Sequence, residues 1–335
     1  MKKSLLALAA LTAFAGVASA QSSVTMFGIL DLAAREVKNG AAGSRSSLST
    51  DATATNRFGV RGVEDLGGGM SASFHIEGSV GTDTGTAGAT NNSGVSAFWN
   101  RISTIGLRGG FGEVRLGRDY TPTFLTHVTF DPFSAAGVAA QINMMGATAG
   151  SPSRTLVRAD NSIGYYFRTG GVYGQAMVSA GEGNDANKYT GFRVGYAAGP
   201  VNIAFALGKT DTTLGETDAM NLGASYNLGF MTLMGQYHQY EYRGASQKNI
   251  SIGTRIPVGA GIIKAQYQKV SDFRKADQIG LGYEYGLSKR TALFANYARV
   301  SNDGLAAFTA SGSGPTPIGT GFTSTGYDVG IRHSF

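Results

Sequence analysis

The chain has 335 residues and a net charge of +6, of which Lys2 and Lys3 supply two, and its basic residues are scattered rather than gathered in one stripe. That distribution argues against a nucleic-acid partner. The absence of cysteine removes disulfides, metal thiolates and thiol nucleophiles together, while 50 Gly, 7 Pro, 15 Tyr and 18 Phe favour a turn-rich β protein with aromatic bands over a helical one.

The first segment reads as an export signal. Lys2 and Lys3 precede an apolar run from Leu5 to Val17, and Ala18-Ser19-Ala20 supplies the small residues a signal peptidase needs. Residues 1–20 are therefore expected to be removed, leaving one mature domain over 21–335. No later stretch offers about 20 uninterrupted apolar residues, which excludes a membrane-spanning helix.

A strand is predicted over Ser23–Val37. Short turn signals then recur at Asp65–Gly69, Gly109–Gly112, Arg168–Gly171, Ala197–Pro200, Asn227–Gly229, Pro257–Ala260 and Gly286–Arg290. Each marks a hairpin, and with the first strand and a terminal strand, Thr325–Phe335, the count reaches about sixteen, the even number a closed bacterial barrel requires. Alternation supports this. Val201, Ile203, Phe205 and Leu207 share one face opposite Asn202, Ala204, Ala206 and Gly208; Ile279, Leu281, Tyr283 and Tyr285 oppose Gln278, Gly280, Gly282 and Glu284. One face is greasy and the other small or polar but poor in charge, which suits lipid outside and water inside better than a soluble sandwich. Thr291–Val300 alternates poorly, with Leu293 and Phe294 adjacent, and its faces stay unassigned. In the terminal strand Tyr327, Val329, Ile331, His333 and Phe335 take the lipid side. Because an open sheet edge in hydrocarbon leaves unpaired N–H and C=O groups, the first and last strands must pair. The fold class is thus all-β, a transmembrane antiparallel β-barrel.

Two connections are long. Residues 80–97 are rich in Gly, Thr and Asn, and read as a solvated linker or a latch onto a neighbouring subunit. Residues 120–157 carry Phe124, Leu125, Val128, Phe130, Phe133, Ile142, Met144 and Met145, too apolar for a loop in water, so this loop is expected to fold inward against the wall, with a helical turn at Ala135–Ala140. Enzyme signals are weak. Phosphate-binding, nucleophile-elbow and zinc-binding motifs are absent, and His75, His127, His238 and His333 are dispersed, so no cofactor or metal is expected. Glu64-Asp65 points to opposite faces of a strand at a turn.

Several segments together resemble the trimeric general diffusion porins of Gram-negative outer membranes, in particular their β-proteobacterial branch. They are Ser23–Asp31, Asn56–Gly67, Gly106–Arg118, Asp131-Pro132-Phe133, Arg158–Ser162 and Gly330–Phe335. The resemblance spans the mature chain. It implies a sixteen-stranded barrel, a homotrimer among outer-membrane lipid, and a third loop narrowing the pore between its acids and arginines on the wall. Carried over by motif, Arg57, Arg61, Arg101 and Arg158 match wall positions and Asp131 matches the loop carboxylate. Asp31, Arg35 and Arg115 have lumen parity, while Arg118 has the opposite parity and is placed at a subunit contact.

The implied function is passive diffusion of small hydrophilic solutes, with anions moderately preferred because positive charge exceeds negative at the constriction. A charge about 10 Å from one arginine gains only about 0.4 kcal/mol at ε ≈ 80 and about 1.7 at ε ≈ 20, so several arginines bias permeation without making a tight site. The alternatives are a porin selective for one solute class, which needs stacked aromatics or a saturable site, and an outer-membrane hydrolase built on a wall histidine.

Overall fold

The computed structural model describes residues 23–92, 94–145, 155–182, 188–212, 215–272 and 274–335; the expected signal segment and residues 146–154 of the long loop lie outside them. Sixteen antiparallel strands close into a barrel. They are β1 (Ser23–Asn39), β2 in two pieces (Ser44–Thr50 and Arg57–Gly67), β3 (Met70–Gly81), β4 (Ile102–Gly109), β5 (Gly112–Tyr120), β6 (Arg158–Thr169), β7 (Val172–Ser179) and β8 (Tyr189–Ala198). The second half comprises β9 (Val201–Thr212), β10 (Gly215–Asn227), β11 (Thr232–Tyr242), β12 (Ala245–Val258), β13 (Gly261–Asp272), β14 (Lys275–Gly286), β15 (Thr291–Asp303) and β16 (Thr323–Ser334). All seven predicted short turns join consecutive strands at one end.

Closure comes from β1 pairing with β16, Ile29 opposite Ser334 through Asn39 opposite Ser324. The seam is finished by the last residue, since Phe335 and Gly28 exchange backbone hydrogen bonds of 3.1 Å. Gly28 leaves room there for the Phe335 ring, which would lie 2.4 Å from a Cβ. The first and last edges thus pair with each other, as hydrocarbon demands. Val24, Met26, Ile105, Ile250, Ile252 and Val329 are each more than 60% exposed, which makes the outward face apolar all round.

The split in β2 was not legible in the sequence. The upper part of β1 pairs with Ser44–Thr50 and the lower part with Arg57–Val63, while residues 51–56 leave the sheet and enter the lumen. Asp31 is the reason this excursion holds. Its carboxylate accepts from the backbone N–H of Ala52, Thr53 and Ala54 at 2.9, 2.9 and 3.0 Å and from Thr53 Oγ1 at 2.5 Å.

The long loop after β5 folds inward. It opens with α1 (Pro122–Phe130), started by Thr121 as N-cap and Pro122 in the first turn. The helix therefore falls earlier than the Ala135–Ala140 turn expected from composition, and it lies against β8–β11. Phe133, Val138, Ala139 and Met144 then pack with Val270, Ala276, Ala298 and Val300 of the wall and with Ala306, Phe308 and Ala310 of the connection after β15. Burying each of the large side chains contributes about 1.5–3 kcal/mol. This explains the poor alternation of β15. Phe294 points inward against Ala33 and Ala52, and Val300 joins the loop cluster, so that strand meets protein on its inner face instead of water.

A loop crossing a lumen has no sheet partners for its carbonyls, and buried ones must be satisfied. Wall amides do this strand by strand. Asn221 on β10 donates to Thr123 O (3.3 Å), Gln236 on β11 to His127 O (3.1 Å) and Gln247 on β12 to Met144 O (2.8 Å). Gln266 on β13 donates to Ala139 O and Gln278 on β14 to Val138 O. Inward Asn and Gln residues that suit a wet wall serve here as clamps for the loop.

Candidate functional site

With the loop packed against the far wall, the open passage runs along β1, β2, β5, β6 and β16. A section of about 610 Å³ is lined by Arg57, Arg101, Tyr120, Arg158 and Arg332 on the wall and by Phe124, Leu125, Val128 and Ser134 on the loop.

Three of the four wall arginines expected at the constriction come together around Tyr120. Its hydroxyl accepts from Arg101 Nη2 at 2.8 Å and Arg158 Nη2 at 2.9 Å, and the Arg158 guanidinium lies 4.5 Å from the centre of its ring. Arg101 Nε donates to Glu77 Oε1 at 2.5 Å, and Arg57 Nη1 lies 3.9 Å from the same oxygen while its Nε donates to Thr55 O. Glu77 is the carboxylate of this group. Parity explains the grouping, because Arg57 and Glu77 sit on lumen-facing positions of neighbouring strands and Tyr120 and Arg158 face each other at the loop ends of β5 and β6.

Arg61 shares the lumen face but lies four residues further along β2 toward the short turns. It stacks 5.0 Å over Phe27 and does not join the cluster.

Asp131 corrects the expectation carried over for the loop carboxylate. It is wholly buried and does not line the passage. Oδ1 accepts from Phe133 N at 2.8 Å, and Oδ2 from Ala135 N at 3.0 Å and Gln141 N at 3.2 Å, so its work is to tie the loop to itself. Burial raises its carboxyl above the ordinary value, opposed by those three N–H groups and by Arg255. Arg255 grips the same turn from β12 through Pro132 O (2.8 Å) and Ser134 Oγ (2.7 Å). The loop surface opposite the arginines consequently carries no carboxylate among the described residues.

The remaining expected residues are on the lumen side but internally matched. Asp31 caps the β2 excursion as described. Arg35 binds Asp328 at 2.5 Å, and Asp328 in turn accepts from Val138 N at 3.1 Å, pinning the loop tip. Beside it Gly137 adopts φ +81°, and a Cβ there would lie 2.1 Å from Ala52 O. Arg115 pairs with Glu113 at 2.7 Å and Asp119 at 3.3 Å. Arg118 points away from the passage. It donates to Asn100 O (2.6 Å), to Asn92 Oδ1 (2.7 Å) and to Asp160, so it holds the 82–101 connection of its own chain.

Sequence reasoning did not single out Tyr120, Glu77, Arg255 or Arg332, which pairs with Glu284 across the lumen wall. Nor did it join two of the dispersed histidines. His127 Nδ1 lies 3.4 Å from His238 Nε2, which also faces Gln236 Oε1 at 2.7 Å, while Asn221 Nδ2 approaches His238 Nδ1 at 2.6 Å. Burial pushes the His127 imidazole down to about 3, so it is neutral at physiological pH. No cluster of three or more potential metal ligands occurs among the described residues.

A closed barrel, apolar outside and threaded by a narrowed aqueous passage, is a transmembrane diffusion channel. Comparison with known proteins identifies which kind. The model of the Gram-negative porin family matches residues 7–305, and the chain belongs to that family. It is similar to outer membrane porin protein 32 of Delftia acidovorans, 40% identical with all of both chains covered, and to an outer membrane porin protein of Bordetella pertussis, 27% identical over the same full extent. Among solved structures it is similar to an anion-selective porin from Comamonas acidovorans, with a TM-score of 0.84, 36% identity and coverage of 94% of this chain and 100% of that one. The outer membrane protein OmpT of Vibrio cholerae, 14% identical with a TM-score of 0.69 and covering 94% of this chain and 99% of its own, shares the fold. The protein is thus a multi-pass outer-membrane porin for passive diffusion of small hydrophilic solutes.

Proposed function

We propose that the channel prefers anions, that Arg57, Arg101 and Arg158 set the preference, and that the mature chain, freed of residues 1–20, works as a homotrimer. One observation carries the charge argument. Among the described residues Arg57, Arg101 and Arg158 share the constriction with Glu77, Arg332 beside them is matched by Glu284, and the loop surface facing them carries no carboxylate. Two net positive charges about 6 Å from a permeating ion, screened at 0.1 M salt, favour an anion over a cation by about tenfold. At 1 M the same charges leave about twofold. The Comamonas relative's description as anion-selective supports this reading. The trimer is supported by Val95 and Phe98, apolar side chains 61% and 51% exposed on the 82–101 connection, the segment that reads as a latch onto a neighbouring subunit.

Reversal potentials in planar bilayers under a potassium chloride gradient test the charge argument. Chloride preference that weakens in Arg57→Ser/Arg101→Ser is expected; an unchanged reversal potential places selectivity elsewhere. Conductance steps in groups of three test the trimer.

A further inference from the structure

Below the constriction, toward the end closed by the short turns, the β5–β8 wall carries a descending series of guanidinium–tyrosine pairs. Arg158 lies over Tyr120, Arg115 over Tyr166 at 4.3 Å, and then Arg193 and Arg168 both against Tyr173, at 4.9 and 5.5 Å from its ring centre. The middle level is electrically matched. Glu113 accepts from Arg108 at 2.6 Å and Arg115 at 2.7 Å, and Asp119 from Arg115 and from the Tyr166 hydroxyl.

The lowest level is not matched. Among the described residues neither Arg168 nor Arg193 pairs with a carboxylate, and the buried Nε of Arg193 has no hydrogen-bond partner. Both border a cavity of about 630 Å³ beneath α1, whose lining also includes Leu125, Thr129, Tyr166, Tyr173 and the mutually paired Arg108 and Glu113. Tyr173 is fixed by donating its hydroxyl to Asn202 Oδ1 at 2.8 Å, and Arg193 reaches Thr129 Oγ1 at 3.5 Å. The tyrosine ring thus holds two guanidiniums in place with no carboxylate on either among the described residues.

We propose that Arg168 and Arg193 form a second anion site at the short-turn mouth, one that takes oxyanions, a carboxylate or a phosphate group, after they pass the constriction. This rests on the reading that anions are the favoured cargo. A guanidinium fork donates two parallel bonds to a planar or tetrahedral oxyanion, whereas a chloride ion meets only its charge. The site therefore distinguishes among anions, while the constriction distinguishes anions from cations.

The test uses the intact porin in planar bilayers carrying potassium chloride, with millimolar inorganic phosphate or acetate added on the short-turn side. Either ion should depress the chloride current of the wild type. Arg168→Gln/Arg193→Gln should raise the half-inhibiting concentration about tenfold, the effect of removing two contact charges in water screened by about 0.1 M salt, while leaving the potassium chloride reversal potential nearly unchanged. Arg193→Lys keeps the charge and loses the fork, so partial relief is expected from it. Insertion of channels of normal conductance reports that each variant has folded. Inhibition by phosphate alone or acetate alone, relieved by the double variant, supports the site and names its group. No inhibition of the wild type, or inhibition indifferent to the double variant, overturns it. Failure of Arg57→Ser/Arg101→Ser to shift the reversal potential, with inhibition still answering to Arg168 and Arg193, would instead dismiss the constriction argument alone.

Discussion

Replacing Asp131 separates a structural carboxylate from an electrostatic one. In Asp131→Ala three backbone N–H groups, those of Phe133, Ala135 and Gln141, lose their acceptor inside protein. Each buried donor left unsatisfied costs about 1–3 kcal/mol, so the loop turn should lose about 3–6 kcal/mol once the relief of desolvating a carboxylate is subtracted. Asp131→Asn is milder. With its oxygen turned toward Ala135 and Gln141, its amide faces only the Phe133 N–H, for a cost of about 1–3 kcal/mol. The barrel should survive both, because its strands pair independently of the loop, but the loop should fluctuate. Single-channel recordings should show added current noise and raised conductance, graded Ala above Asn, with little change in reversal potential. A quiet Asp131→Ala channel whose reversal potential moves toward chloride would refute this reasoning, since it would mean the carboxylate faces the permeating ion.

Tyr120→Phe removes the hydroxyl shared by Arg101 and Arg158 and keeps the ring under Arg158; selectivity should change by less than about twofold, and a collapse of anion preference would show that the hydroxyl sets both guanidiniums. Gly223→Ala places a methyl 2.1 Å from Phe130 Cδ2 and should displace α1 from β10, seen as faster hydrogen exchange of the loop. Acidification acts through His127. Its imidazole is depressed to about 3 in the folded loop against about 6.5 unfolded, so its contribution is present above pH 6.5 and is lost as pH falls toward 3. At pH 4.5 this amounts to about 2–3 kcal/mol, offset in part by Asp131, whose raised carboxyl gains a proton in the same direction. Loop exchange should quicken in acid, and His127→Gln should flatten that pH dependence; an equally steep response in the variant assigns it to another group.

Alternation and turn signals carried the barrel, because a two-residue period against lipid is enforced at every strand and a short turn must follow each pair. The inward loop was legible for a similar reason, since Phe130, Phe133 and Met144 have nowhere else to go. What sequence could not show is what lies across the lumen. His127 and His238 are 111 residues apart and meet only because α1 docks on β11. Phe294 broke the pattern because its inner neighbour is Ala52, and Asp131 was placed in the passage because a motif gives a residue's location but not the direction of its side chain. Tyr120 escaped notice because tyrosines here mostly take lipid parity, and Arg57, Arg101 and Arg158 come together through strand register.

The packed core that the loop builds against β13–β15 displaces the conduit from the barrel axis. A travelling molecule therefore has basic tyrosine-backed groups on one flank and the mostly apolar, uncharged loop on the other, never a symmetric ring. Lopsided surroundings exert torque on anything with a charged end and a greasy end, so such a solute enters aligned, acid group to the β5–β8 side. Shape and polarity are then sensed jointly, and two compounds of equal size and charge can cross at unequal speeds merely because their charge sits differently.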